Sequence, residues 1–405
     1  MTTVTSAHET TAKRPAGADL RRPIRVALIH YVDSASVGGS LRVGELLGHN
    51  LTRADVEPHF VFAYGGPGPV TSRTDATCHF VRAHGPADIK AWLRARSLIG
   101  ALRPDVLHFV NPVVWMNLAL WDATCPKVLH VHGPMEPSTA RFRDKCIWRA
   151  LRHLMSGYIC VSRSMESKLL AAHWGTRNQA RTVYNAVDCD HWANRFDTTD
   201  ARARLGLPRD KVILGMVCRL VPAKGCDDAV RLLERLPDCY HLAIAGEGPE
   251  KPSIVSLAAA KRLGHRVHML GLLDDARLAY SAIDNLLFLS RTEPFGLLLA
   301  EAMAAGVPIV GLAGDGGYRE EPYPLVTSET AVLFDRPAPE DLAARAPEPL
   351  LDRLGAAIQE LNGSPEKRDA MVARAQTWVR ERFGAEQYAS AVARIYQELL
   401  TKARG

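Results

Sequence analysis

A chain of 405 residues suggests two or three domains at roughly 100–200 residues each, and its 47% hydrophobic and 23% charged residues are the proportions of a soluble globular protein. That composition excludes wholesale disorder and a disulfide-stapled miniprotein, and no stretch approaches the ~20 apolar residues of a membrane span. The net charge of +6 is too small over this length to mark a nucleic-acid binder.

The positive excess lies in residues 1–190, where 23 basic side chains face 15 acidic ones. An anionic acceptor, an anionic membrane surface or plain solvation would each account for it. Residues 1–20 lack the apolar centre of a signal peptide and are expected to form a disordered arm. The eight cysteines, Cys78, Cys125, Cys146, Cys160, Cys189, Cys218, Cys226 and Cys239, form no CxxC pair and no zinc-like spacing. They read as thiols of a reducing compartment, so a cytoplasmic location is expected.

Short β-branched runs follow at 24–30, 59–64, 105–110, 127–132, 157–161 and 181–184, separated by helical patterns. Their near-continuous apolarity fits parallel strands buried on both faces. The polar, turn-rich stretch 189–210 interrupts the series. The same grammar restarts at 212–218, 240–246, 266–270, 285–290 and 307–311. After Leu333 the chain turns helical, and Tyr388, Val392, Ile395, Tyr396 and Leu399 recur at helical spacing near its end. The expected fold class is α/β, with two Rossmann-like domains at 21–190 and 211–383 joined by a linker at 191–210. A helix at 384–405 must pack on something, and could cross back to the first domain.

In open parallel sheets ligands sit beyond the carboxyl ends of strands, so the loops there carry the chemistry. After the first strand, Gly38 and Gly39 would either let backbone N–H groups approach a phosphate or sugar or form only a turn. His108 and Trp115 flank a strand end and could face an acceptor, with core packing preferred for Trp115. Arg141, Lys145, Arg149 and Arg152 share one helical stripe that could meet anionic lipid, although a solvated face is preferred. Asp188 and Asp190 form a DxD, but its place in the linker argues against a metal site. After the first strand of the second series, Arg219 and Lys224 could clamp a diphosphate or simply be solvated cations. The segment 290–311 predicts a helix from Phe295 to Ala305, with Pro294 in its first turn and Thr292 or Glu293 as cap. Glu293 and the free N–H groups of Phe295, Gly296 and Leu297 would then supply an acceptor and donors to a polyhydroxylated ligand. Glu301 lies two turns further along, where it could equally be a surface glutamate.

The run EPFGLLLAE, with Glu293 and Glu301 enclosing seven residues, resembles the signature of the GT4 family of retaining glycosyltransferases. The Gly38–Gly39 loop, His132–Gly133, the NAVD of 185–188, Arg219 to Gly225 and AGEGPE at 245–250 resemble further motifs of that family in the same order. The resemblance implies a GT-B fold, two Rossmann-like domains facing across a cleft. It implies that Arg219 and Lys224 bind the donor diphosphate, that Glu301 binds the ribose, and that Glu293 with the Phe295–Leu297 backbone binds the transferred sugar. His132 would contact that sugar near the reacting carbon, and Gly38 and Gly39 would approach the phosphate and the acceptor. Ala186 departs from the family's glycine, and 311–325 departs from its usual short glycine-rich loop.

The reaction expected from the resemblance moves a sugar from a nucleoside-diphosphate sugar to a hydroxyl acceptor, with retention and without metal or other cofactor. A soluble natural product or sugar phosphate is favoured over a lipid as acceptor, and no nucleic-acid partner is expected. A nucleotide-sugar epimerase or hydrolase of the same fold, and a non-catalytic nucleotide-sugar binding protein, are the alternatives. A dinucleotide oxidoreductase would need a GxGxxG after the first strand, and none is there.

Overall fold

Apolar strands alternating with longer helices can bury both faces only as parallel sheets covered by their own crossovers. The structure, a computed structural model, describes residues 22–34, 38–133, 152–320, 322, 324–337 and 344–404. The arm 1–20 and three residues of the basic stripe, Arg141, Lys145 and Arg149, lie outside the described residues. Arg152 is described, and its guanidinium donates to the His173 carbonyl.

The first sheet contains β1 (Ile24–Val32), β2 (Val56–Tyr64), β3 (Thr77–Ala83), β4 (Val106–Phe109), β5 (Lys127–Val131), β6 (Gly157–Cys160) and β7 (Ala180–Thr182). They pair in parallel in the order β3-β2-β1-β4-β5-β6-β7. The second contains β8 (Val212–Val217), β9 (Tyr240–Ala245), β10 (Val267–Gly271), β11 (Asn285–Phe288), β13 (Ile309–Ala313) and β15 (Val332–Asp335), ordered β10-β9-β8-β11-β13-β15. A two-residue pair, β12 (Thr292–Glu293) with β14 (Asp315–Gly316), stands apart from both.

Each sheet reverses direction once, at β1/β4 and at β8/β11. The crevice beyond such a switch point is where the two adjoining loops diverge and leave room for a ligand. Both switch points open toward the other domain, because the helix after β1 meets the helix after β12.

Side chains alternate across each strand, so the first sheet has two distinct cores. Ala27, Ile29, Leu107, Phe109 and Leu129 face one way. Val26, Leu28, Val106, Val110 and Val128 face the other, under the helix Gly39–Leu51 and the C-terminal helix Ala385–Arg404. Tyr388, Val392 and Tyr396 are buried in that second cluster, so the chain's last helix covers the first sheet. Ala186 packs in the same cluster.

Four strands do not stand out in the sequence: β3, β15 and the two-residue β12 and β14. β3 and β15 are edge strands with mostly half-exposed side chains, so their apolar signal is weak. The stretch read as an irregular linker carries two short helices, Cys189–Ala193 and Thr198–Leu205, each begun by an aspartate side chain that accepts a backbone N–H.

Candidate active site

The β8 loop is held by buried charge. It turns through Pro222–Lys224 and leaves at Gly225, whose φ of +68° is left-handed and whose Cβ position would lie 2.5 Å from the Leu289 carbonyl. Arg291, at the end of β11, braces the turn from below. Its backbone N–H donates to Ala223 at 2.7 Å, and its guanidinium donates to the Pro222 carbonyl and to Asp227 and Asp228. Asp228 is wholly buried and also receives Arg231 at 2.9 Å and Arg336. Removing any of these arginines would leave buried charge uncompensated, so Asp228 ties the loop to the strand ends beneath it.

On this base Lys224 Nζ meets Glu293 at 2.5 Å, with both side chains mostly buried. The two adjoining loops of the second switch point therefore contribute one cation and one carboxylate to a single place. Arg219 is exposed on the same loop and forms no ion pair among the described residues.

Glu293 does not cap the following helix, contrary to the expectation. Its backbone pairs with Gly316, and the helix runs Leu297–Ala304 with Gly296 at its N-cap, where φ is +96°. The reason is geometric: β12 is extended, and a glycine is needed to turn from it into the helix. The amide groups of Phe295, Gly296 and Leu297 donate no hydrogen bond among the described residues, while the Phe295 side chain is buried beside Phe383.

Glu301 is buried, not a surface glutamate. Its Oε1 accepts from Arg42 at 2.7 Å and its Oε2 from the Tyr280 hydroxyl at 3.0 Å. Arg42 also lies 5.6 Å from the centroid of Trp192, within cation–π range. It comes from the Gly39–Leu51 helix of the first sheet, so this ion pair crosses the cleft. Gly39 approaches at the same level, and a Cβ there would lie 2.7 Å from the Leu297 side chain. Gly38 begins the helix at φ +77° with open space around it.

A second bridge between the domains lies in the 311–325 segment. Asp315 pairs with Lys168 at 2.7 Å, and the Glu320 carboxylate accepts the N–H groups of Arg163 and Ser164 at the start of the helix Arg163–Ala171. Residues 321 and 323 lie outside the described residues.

On the first-sheet side, His132 follows β5 with its Nε2 buried and without a hydrogen-bond partner among the described residues. Its ring stacks on His130 at 4.3 Å between centroids. Burial pushes His132 down to about 4, so its imidazole is neutral near pH 7. His108, expected as a group that could face an acceptor, is wholly buried and bonded to Tyr396 and His130, because β4 is central in the sheet. Trp115 packs in the core against Tyr64 and Trp92.

The DxD carboxylates serve structure. Asp188 accepts the His191 N–H as a helix cap, and Asp190 pairs with Arg380 at 2.8 Å. Among the described residues no group of three or more His, Cys, Asp or Glu is placed to hold a metal ion. No helix among them is long and apolar enough to cross a membrane.

Sequence reasoning missed Arg42 and Tyr280, which hold Glu301, Trp192, which packs against Arg42, and Arg291, which braces the β8 loop. Arg42 and Glu301 are 259 residues apart, so no local signal pairs them. The histidines of β1, β4 and β5 did carry a signal, since each strand has one at its carboxyl end, but joining them requires the strand order.

Two family models match the chain: one described as Glycosyltransferase Family 4 over residues 37–191, and one described as Glycosyl transferases group 1 over residues 197–378. The O-antigen biosynthesis glycosyltransferase WclY of Escherichia coli is 30% identical over 128 residues, 32% of this chain and 36% of that protein. The sulfoquinovosyl transferase SQD2 of Arabidopsis thaliana is 28% identical over 316 residues, 74% of this chain and 59% of that protein. The matched region thus spans about a third to three fifths of the length of these relatives. The structure of Anabaena Alr3699/HepE in complex with UDP and glucose superposes with a TM-score of 0.75 over 93% of this chain and 100% of that one, at 18% identity. The shared architecture is the GT-B fold.

Proposed function

We propose, for a chain that belongs to the GT4-type glycosyltransferases, that it transfers a sugar with retention from a nucleoside diphosphate to a small hydroxyl acceptor. The observation that carries this reading is the meeting of Lys224 and Glu293 at the second switch point, on a loop braced by Arg291 and beside unpartnered backbone amides. The structural neighbour's complex with UDP and glucose supports a donor of that class.

In this reading the diphosphate lies on the β8 loop, where Arg219 and Lys224 stabilise the negative charge that grows as the sugar departs. Glu293 gives up Lys224 to the phosphates and accepts from the sugar hydroxyls, while the Phe295–Leu297 amides donate to them. The ribose takes the Glu301 oxygen now held by Arg42. His132, kept neutral by burial, presents an uncharged imidazole to a carbon that becomes cationic. The leaving diphosphate accepts the acceptor's proton on the same face, so retention needs no protein nucleophile. The charge is supplied by arginine and lysine, and the DxD carboxylates are committed elsewhere, so EDTA is expected to leave turnover unchanged. The basic excess of residues 1–190 suits an anionic acceptor such as a sugar phosphate.

The test is a panel of nucleotide sugars assayed for nucleoside diphosphate release with and without hydroxyl acceptors, followed by proton NMR of the product's anomeric coupling. Acceptor-dependent release with the donor's configuration retained is expected. Release or epimerisation without acceptor, or donor binding with no product, would replace the transferase by a hydrolase, an epimerase or a binding protein. An inverted product would overturn the retaining mechanism.

A further inference from the structure

Four histidines sit together under the first domain's side of the cleft. His30 on β1, His108 on β4, and His130 and His132 on and after β5 share the parity of Val26, Leu28, Val106 and Val128, so all belong to the sheet face covered by the Gly39 and C-terminal helices. His30, His108 and His130 are at most 1% exposed. Burial holds His30 and His108 down to about 3 and lowers His130 as well, so the rings are uncharged near pH 7. A polar ring in such a core costs stability unless its nitrogens are bonded, and a leucine would serve packing better.

Among the described residues the buried Tyr396 hydroxyl has His108 Nδ1, at 2.5 Å, as its partner, and donating to that nitrogen satisfies its proton. His108 then carries its proton on Nε2, which lies 3.2 Å from His130 Nδ1 and donates to it. In this order His130 carries its proton on Nε2, which has no hydrogen-bond partner among the described residues, and its ring stacks on His132 at 17° between planes.

We propose that Tyr396, His108 and His130 are positioning residues for His132: a one-way hydrogen-bond chain from the C-terminal helix sets the tautomer and plane of His130, and so the plane of the imidazole stacked on it. The proposal rests on the reading that His132 meets the donor sugar. The apolar face of the C-terminal helix docks it on the first sheet, and that docking brings the Tyr396 hydroxyl to His108. A ring held on one face by a neighbour of fixed orientation loses little freedom when the sugar arrives, which is the use of such preorganisation.

The tautomers can be read without turnover. In the full-length protein labelled with ¹⁵N-histidine, long-range ¹H–¹⁵N correlation is expected to show His108 and His130 neutral and protonated on Nε2. Tyr396→Phe removes only the hydroxyl, and should redistribute the His108 and His130 tautomers and lower kcat about tenfold while KM for the nucleotide sugar changes by less than about twofold. His108→Gln, which keeps an N–H donor near the Nε2 position, should retain more turnover than His108→Leu. Nδ1-protonated His108 or His130 in the unmodified protein would overturn the proposal, as would a folded Tyr396→Phe protein with unchanged kcat. Full turnover in His132→Asn would instead remove the reading of His132, and would do so whatever the tautomers are.

Discussion

The two sheets end in opposite chemistries. Beyond the second sheet the groups are charged: Lys224 against Glu293, Arg219 beside them, and Arg291, Arg231 and Arg336 gathered around Asp228 below. Beyond the first sheet they are neutral: His132 and the three buried imidazoles behind it. One parallel-sheet scaffold thus holds a surface suited to an anion and, facing it, one suited to an uncharged sugar. Arg42 and Lys168 join them, first-domain cations that occupy the second-domain carboxylates Glu301 and Asp315.

The contrast predicts unequal roles for the two glutamates of the Glu293–Glu301 motif. Glu293→Gln removes the charge paired with Lys224 and should lower turnover about 10²-fold. Glu301→Gln, at the carboxylate proposed to bind the ribose, should act mainly by raising KM for the donor, about tenfold. Equal losses of kcat in steady-state assays would show that the division is wrong.

The neutral half predicts a pH signature in stability. His30, His108, His130 and His132 are uncharged in the folded chain and titrate near 6.5 when unfolded. Unfolding therefore takes up protons from about pH 6.5 down to about 3, and stability is present above that window and lost as the pH falls through it. The melting temperature should drop between pH 7 and pH 5. His30, packed against Phe60 and Phe62 with no hydrogen bond to either ring nitrogen among the described residues, offers the sharpest control. His30→Leu should raise the melting temperature more at pH 5 than at pH 7, and an equal effect at both would contradict the assignment.

The smallest effect concerns the bridge. Arg42→Gln frees one Glu301 oxygen from its ion pair, so nucleoside diphosphate binding measured by calorimetry should tighten a few-fold, about what a partly exposed pair is worth. Weaker binding would mean that Arg42 contacts the donor.

How much of this the sequence carried follows from the range of each interaction. Central strands announced themselves as apolar runs, whereas edge strands β3 and β15, half exposed, did not. The loops bearing Arg219, Lys224 and Glu293 could be found because they follow strands, and their motifs resembled a family. That Lys224 touches Glu293 could not, since it depends on β8 lying beside β11. Glu301 illustrates the limit most clearly: helical spacing placed it two turns past Glu293, yet its partners Arg42 and Tyr280 come from another domain and another helix. The histidines stood in plain view in three strands, and only the order β1-β4-β5 makes them one cluster.

The central claim is that the second switch point reads a nucleoside diphosphate through Arg219 and Lys224. Calorimetric titration of UDP, with other nucleoside diphosphates in parallel, into the unmodified protein and the Arg219→Ala and Lys224→Ala variants tests it directly. The account predicts that at least one nucleoside diphosphate binds, and that either substitution weakens it by about tenfold or more while the melting temperature stays near that of the unmodified protein, each loss being that of a charge-assisted contact. Undiminished binding in both variants would contradict it.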